Sequence, residues 1–485
     1  MPASTSRTDS RWMALIVLCA GMLMIILDQT IVNVALPTIQ DDLGFTQSGL
    51  AWVINAYLIP FGGLLLLAGR LGDLIGRKRI FLVGLTAFTA ASLLCGASVT
   101  PEMLIVARFL QGAGGAMATA VTLGMIVTMF PEPKEQARAI GVFSFVAAAG
   151  ASIGLLAGGV LTQALNWHWI FFVNLPIGIA ALVLAYRLIG NDRGIGLSEG
   201  ADVVGAVLIT SSLMLGVYTI VKAAEYGWGS LHTVGLGAVA LALFAGFVVR
   251  QARAAKPLLP LRIFTSRNVT GANLIQVLAI AGMFGMFFLG SLYMERVLDY
   301  DALQIGLAFL PVAILIGTLS VGFSARLGER FGLRTVLLAG LGLLVVGLVL
   351  FARLPVEGHY VPDLLPAMVV LGTGAGLMFP TLMNLAMSSA TPSDAGLASG
   401  LVNTSAQVGG AIGLAVLATL SSARTGRLLT EGEAQKAALT SGYHLAFWIG
   451  AVLVVASAVI AVTVLRPVPA SAPAEQLEPV LEPVA

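Results

Sequence analysis

The feature that most restricts how this chain can fold is a recurrence. Fourteen times in 485 residues an apolar run of roughly twenty residues or more appears, at about 12–36, 49–69, 80–99, 102–130, 138–162, 169–189, 203–222, 231–250, 269–294, 302–324, 333–353, 364–387, 397–420 and 443–465. A helix of about 20 apolar residues crosses the hydrocarbon core of a bilayer. Composition agrees: 58% of the residues are hydrophobic and 10% charged, with mean hydropathy +0.95, where soluble domains carry about 25% charged residues. The sequence therefore predicts an all-α integral membrane protein. The first run is too long for the apolar core of a signal peptide, and no A-x-A-like cleavage site follows it, so it is expected to stay as a helix. Connections are short and leave no room for a large soluble domain. The tail at 467–485, "PVPASAPAEQLEPVLEPVA", is rich in Pro, Ala and Glu and is expected to be disordered.

Basic residues set the orientation, because cytoplasmic loops collect Lys and Arg. With the N-terminus inside, nineteen of the 26 Lys and Arg fall on the cytoplasmic side and six outside, leaving Arg108 alone within the membrane. Both termini are then cytoplasmic, as an even number of spans requires. A formal net charge of +2 is too small to suggest a nucleic-acid partner. Cys19 and Cys95 both lie in apolar runs and read as small buried hydrophobes.

The chain also repeats itself. "GRLGDLIGRKR" (69–79) follows the second span and "ARLGERFGLRT" (325–335) the tenth; Arg70 aligns with Arg326, Gly72 with Gly328, Asp73 with Glu329 and Gly76 with Gly332, an offset of 256 residues. Two six-helix halves, 1–190 and 269–466, with two surplus spans in 191–268, account for that offset. Paired halves with a site near the midplane between them are a common transporter construction.

Two charges sit where lipid is expected. Asp28 interrupts the first span in "LDQTIVNVALP", and Arg108 lies deep in the fourth. A carboxylate at membrane depth is costly and marks a polar cavity, a partner or a proton path. Asp28 lies eight residues before Leu36 and Arg108 six residues after Glu102, so at 1.5 Å per residue each is roughly 10 Å below the outer boundary. Equal depth permits a pair without establishing one. One reading is proton coupling, with Arg108 favouring the charged form of Asp28 when close and releasing it when distant. The other is a static ion pair or a polar cavity lining.

Several motifs carry a family resemblance. "GRLGDLIGRKR", through Gly69, Leu71, Asp73, Gly76, Arg77 and Lys78, resembles the motif between helices 2 and 3 of the major facilitator superfamily. "RFLQGAGGA", through Arg108, Gln111 and Gly112, is similar to its fourth-helix motif. "LDQTIVNVALP", "WHWIFFVNLPIG" (167–178) and "PLLPLRIF" (257–264) resemble marks of its fourteen-span drug:proton antiporters. One departure is Leu155, which stands where the antiporter motif of the fifth helix has proline; Gly150, Gly154, Gly158 and Gly159 of that motif are present. The resemblance implies a major facilitator fold working by alternating access, with Asp28 and Arg108 on proton-coupling positions. It implies a gate at Gly69, Arg70, Asp73, Gly76, Arg77 and Arg79, with Asp73 closing the cytoplasmic side in the outward-open state. Arg77, Lys78 and Arg79 also serve positive-inside topology, and for Lys78 that is the expected role. The fifth-helix glycines are read as close packing that permits rocking.

Polar side chains in apolar spans must find partners. Gln29, Asn33, Asn55, Gln111, Asn403 and Gln407 are therefore expected to line a substrate cavity or bind helices together, with Phe284 and Phe288 as apolar lining and Glu295 at the cavity or an outer gate. No carboxylate falls within spans 10 to 13, which favours lipophilic neutral or monocationic substrates over dications. The four histidines have no metal-ligand spacing, and no phosphate-binding glycine loop suggests an ATP-driven pump. The expected protein is a non-enzymatic, monomeric, proton-coupled exporter of drugs or antibiotics in the bacterial inner (cytoplasmic) membrane, surrounded by lipid, with no bound cofactor. The rivals are a proton symporter importing a small metabolite and an exporter of a lipid-like endogenous compound; Leu155 keeps them open.

Overall fold

A computed structural model describes residues 5–192, 194–196, 200–387 and 395–466; the tail expected to be disordered lies outside them. The described residues form α-helices joined by short connections, with no strand among them: α1 Thr5–Leu43, α2 Trp52–Ile75, α3 Arg77–Gly96, α4 Pro101–Met129, α5 Pro133–Ala164, α6 Trp169–Phe172, α7 Asn174–Leu188, α8 Val203–Tyr226, α9 Leu231–Arg253, α10 Arg267–Arg296, α11 Ala302–Gly322, α12 Ser324–Phe331, α13 Leu333–Phe351, α14 Leu365–Met387, α15 Ala395–Thr430 and α16 Gln435–Thr463. Thirteen of the helical segments described are long and apolar enough to span a membrane, α6 and α7 counting together. α5, of 32 residues, makes the fourteenth expected crossing.

Local chemistry sets several ends. Thr100 accepts from the Met103 amide at 3.2 Å, with Pro101 as the first helical residue of α4. Asp301 and Gln304 form a reciprocal capping box at the start of α11, satisfying amides the helix leaves free. Proline occurs inside α1, α2, α11 and α14 (Pro37, Pro60, Pro311, Pro380), tolerated where neighbouring helices re-satisfy the freed backbone.

The two halves share one packing plan. In the first, α1 packs on α5 and α7, α2 on α4, and α3 on α4 and α7; in the second, α10 packs on α15 and α16, α11 on α14, and α13 on α14 and α16. Gly76 and Gly332, aligned by the repeat, each end one helix and start the next at φ +108° and +82°, a backbone region that glycine enters without steric cost. The repeated motif is thus not a loop. Residues 69–75 are the last two turns of α2, and Gly76 alone breaks the helix.

The halves meet through equivalent pairs, α5 with α11 and α2 with α15, and through α1 with α10. Among the described residues, two polar links lie at the face opposite the N-terminus of α1. There Arg296 of α10 pairs with Asp41 of α1 at 2.5 Å, and the Leu303 amide donates to Gln163 Oε1 at 3.2 Å. The surplus pair is more than a tether: α8 packs on α9 and also against α2 and α15, along the seam between halves.

Candidate functional site

Asp28 and Arg108 touch. Asp28 is fully buried and Arg108 is 2% exposed, and Nη1 of Arg108 donates to Oδ2 of Asp28 at 2.6 Å. Val53 and Tyr57 of α2 flank the pair. Arg108 Nε donates to the Val53 carbonyl at 2.9 Å, and the guanidinium lies 4.4 Å from the centre of the Tyr57 ring. The opposite wall is the Phe171 ring of α6, 5.7 Å away.

The other carboxylate oxygen is held as firmly. Oδ1 accepts from Gln111 Nε2 at 2.7 Å and from Asn174 Nδ2 at 2.9 Å. Gln111 returns its own oxygen to Arg108 Nη1 at 2.7 Å. Ser92 of α3 accepts from Gln111 at 2.8 Å and from Asn174 at 3.4 Å, while donating to the Phe88 carbonyl at 2.8 Å. Five helices, α1, α2, α3, α4 and α7, therefore meet in one buried network whose formal charges cancel. A buried ion pair survives only when its remaining lone pairs and protons are satisfied in this way.

Gln111, expected to line a substrate cavity or to bind helices together, is fully buried and joins α4 to α1 through Asp28 and Arg108. Asn174 and Ser92 were not singled out. A lone asparagine in the apolar run 169–189 was a usable signal, like Asn33 and Asn55. Ser92 gave none, since helical serines are ordinarily satisfied by their own backbone.

The remaining polar positions are scattered over one region. Gln29 donates to the Tyr57 hydroxyl at 3.4 Å, and Asn33 donates to the Gln29 carbonyl at 3.1 Å while its own oxygen has no partner. Asn55 is fully buried with neither amide atom bonded. Gln407 packs against Gly62, and Phe284 against Gly410, on the α2 and α15 side of the interface. Phe288 is fully buried in the core and does not line an open cavity in this structure. Asn403 is exposed on α15. Glu295, half-buried in the last turn of α10, stands next to the Arg296 that reaches Asp41.

The glycines of α5 divide by direction. Gly150, Gly154 and Gly158 face α1, at Leu23, Thr30 and Ile31, whereas Gly159 faces Ala302 and Leu303 of α11. A side chain at Gly154 would collide with the Thr30 hydroxyl, two residues from Asp28. Leu155, the departure from the antiporter motif, is buried, and its carbonyl lies against Gly306 of α11.

At the motif around 69–79, Asp73 Oδ1 pairs with Arg77 Nη2 at 3.1 Å, and Arg77 Nη1 donates to the Gly124 carbonyl at 3.0 Å. Arg70 donates to the Gly200 carbonyl at 3.3 Å. Gly69 is half-buried near Ala120, and Arg79 is exposed. Among the described residues, the bonds of Asp73 and Arg77 stay within 73–196, inside the first half and the strap that follows it. Asp192, in the strap after α7, caps α3 by accepting from the Arg77 and Lys78 amides at 2.5 and 3.1 Å. Lys78 is buried rather than a free surface charge, donating to the Tyr186 carbonyl at 2.9 Å and to Asn191 at 3.0 Å.

Two helical bundles of membrane-spanning length, the first built around a buried charge network, define a multi-pass membrane protein of the transporter class. The profile described as Major Facilitator Superfamily matches residues 18–414, and the chain belongs to that family. It is 39% identical to the puromycin resistance protein pur8 of Streptomyces alboniger, over 92% of this chain and 90% of that protein. It is 37% identical to the cephamycin export protein CmcT of Amycolatopsis lactamdurans, over 96% and 93% respectively. The fold matches a bacterial homologue of the human lysosomal transporter Spinster with a TM-score of 0.65 at 16% identity, covering 93% of this chain and 96% of that one.

Proposed function

We propose that the protein exports a lipophilic antibiotic or related compound from the cell in exchange for protons, with Asp28 as the coupling carboxylate and Arg108 as its counter-charge. The observation that carries this reading is the network itself. One carboxylate holds a full positive charge on one oxygen and two amide donors on the other, inside the half whose helices must tilt during alternating access. A proton can join Asp28 readily only after a donor leaves, and a shift of α4 against α1 removes Arg108 and Gln111 together. Proton arrival and helix movement are thereby the same event. The names of the relatives, resistance and export proteins, support the export direction.

With the charge-rich face of the chain in the cytoplasm, the contacts at Asp41–Arg296 and α5–α11 close the external side. Gln29, Asn33, Asn55, Gln407 and Phe284 are the side chains assigned to meet substrate, with Gln407 against Gly62 across the seam between halves, and no bound cofactor takes part. One proton returning down its gradient contributes about 1.4 kcal/mol per pH unit, plus about 2.3 kcal/mol per 100 mV for each charge moved.

Inverted membrane vesicles loaded from outside with a fluorescent lipophilic cation test this. The expected result is accumulation that depends on an acidic interior and collapses with a protonophore. Accumulation unaffected by the pH gradient, or uptake only in right-side-out vesicles, would reject proton-driven export.

A further inference from the structure

The stretch 167–178 fastens α1 at two levels. Trp167 is 1% exposed, so its indole N–H needs a partner, and Nε1 donates to Oδ2 of Asp42, near the end of α1, at 2.8 Å. Further along the chain, Asn174 Nδ2 donates to Oδ1 of Asp28 at 2.9 Å. Phe171 lies between them. Its ring stands edge-on to that of Trp167, with centroids 6.3 Å apart, and its centre is 5.7 Å from Cζ of Arg108. Positions 167, 171 and 174 share one stripe of a helix, and the backbone already turns at Trp167, whose carbonyl accepts from the Ile170 amide at 3.2 Å. The three side chains thus form one edge of a short rod, roughly 10 Å from first to last.

Asp41, one residue before Asp42, faces the other half. It pairs with Arg296 of α10 at 2.5 Å, and Arg296 also reaches the Pro37 carbonyl at 3.5 Å. The last turn of α1 therefore holds the second half with one aspartate and the Trp167 rod with the next. Trp167 and Phe171 are both buried, and a close-packed interior transmits a displacement rather than absorbing it. Movement of this end of α1 with α10 is felt at Phe171, against Arg108, and at Asn174, on Asp28.

We propose that Trp167 is a positioning residue of the proton site: through its bond to Asp42 it ties the Asp41–Arg296 contact between the halves to the Asn174 amide held on Asp28. This role rests on Asp28 as the coupling carboxylate. An amide N–H aimed at a carboxylate favours its charged form. When the halves part at this end, the rod shifts, Asn174 is withdrawn and a proton is admitted. Among the described residues, the charged and titratable groups around Asp28 are Arg108 of α4, Tyr57 of α2 and Cys95 of α3. Those around the Trp167–Asp42 bond are Asp41, Arg296, Glu295 and His168, whose ring stacks on Trp167 at 3.8 Å.

The test is infrared difference spectroscopy of the full chain in lipid, stepped through pH, with the protonated Asp28 carboxyl read as the band missing from Asp28→Asn. Asn174→Ala, which removes the donor outright, should move the midpoint of that band toward easier protonation by up to about one pH unit, the worth of one hydrogen bond. Trp167→Phe and Asp42→Ala break one bond from its two sides and should each move the midpoint the same way, by equal and smaller amounts. Asp42→Asn, which keeps an oxygen for the indole, should stay close to wild type. Trp167→Phe added to Asn174→Ala should shift the midpoint less than Trp167→Phe does alone, because both act on one amide. A midpoint unmoved by Trp167→Phe and Asp42→Ala, with only the melting temperature lowered, would overturn the positioning role and leave Asp28 as the proton carrier. A full additional shift on top of Asn174→Ala would overturn it too. A carboxyl band that does not titrate, or that survives Asp28→Asn, would instead refute Asp28 as the proton carrier and the role of Trp167 with it.

Discussion

Removing Arg108 and removing Asp28 are unequal perturbations, and the structure says by how much. Arg108→Met leaves Asp28 fully buried with only the Gln111 and Asn174 amides. Deleting one partner of a buried ion pair costs about 3–5 kcal/mol, because the other charge stays behind. Asp28→Asn is milder. The new side chain keeps an oxygen for Arg108, and the guanidinium retains the Gln111 oxygen at 2.7 Å, the Val53 carbonyl at 2.9 Å and the Tyr57 ring, so the expected cost is about 1–2 kcal/mol. The double variant removes both charges and should be more stable than Arg108→Met alone by about 1–3 kcal/mol. Reversible unfolding in mixed micelles, run as a double-mutant cycle, reads these differences directly. Additive losses, or an Arg108→Met cost no larger than that of substituting the exposed Arg427, would refute the network as drawn.

Three further outcomes follow from geometry elsewhere. Gly159→Leu drives a side chain into Ala302 and Leu303 of α11, an overpacking worth about 1–3 kcal/mol; cysteines placed between α5 and α11 should then label more readily from the far face, and transport should fall. Asp41→Asn loses a partly exposed pair, so stability should change by less than about 1 kcal/mol, while labelling from the far face rises by up to about fivefold; unchanged labelling would remove the pair from the gate. Asp202 is a pH-sensitive staple at the start of α8. Burial alone would push its carboxyl up, but the Gly205 amide, Gln251 and Arg250 outweigh that and hold it below its ordinary 3.8. A carboxyl depressed in the folded state contributes stability above the ordinary value, and that share is lost as pH falls from about 3.8 through the folded value. Melting curves from pH 6 to pH 3 should show an acid-side decline that Asp202→Asn reduces.

Much of the architecture was legible because a bilayer admits few solutions. Length and hydropathy marked thirteen crossings that the described helices match, and the aligned Gly76 and Gly332 marked the repeat. Helix ends were less so, since hydropathy registers the lipid rather than the helix. α16 begins at Gln435, ahead of the apolar run, and α15 continues to Thr430, well past it. The 69–79 motif read as a loop because its charges signal water, yet the backbone stays helical to Ile75. Asp28 and Arg108 stood out as charges in lipid. Their neighbours did not, because Asn174, Ser92 and Tyr57 reach the pair from three other helices and no sequence spacing encodes that meeting. Asp192 was hidden for a similar reason, its role as a cap existing only once the strap folds back on α3.

The central claim is that one carboxylate exchanges the proton for the substrate. Proton release measures it directly: purified protein in weakly buffered micelles, given a transported lipophilic compound, with pH followed by an indicator dye. The wild type should release protons on binding, and Asp28→Asn should bind the same compound and release none. Equal release from both proteins would place the coupling proton on another group and contradict the account.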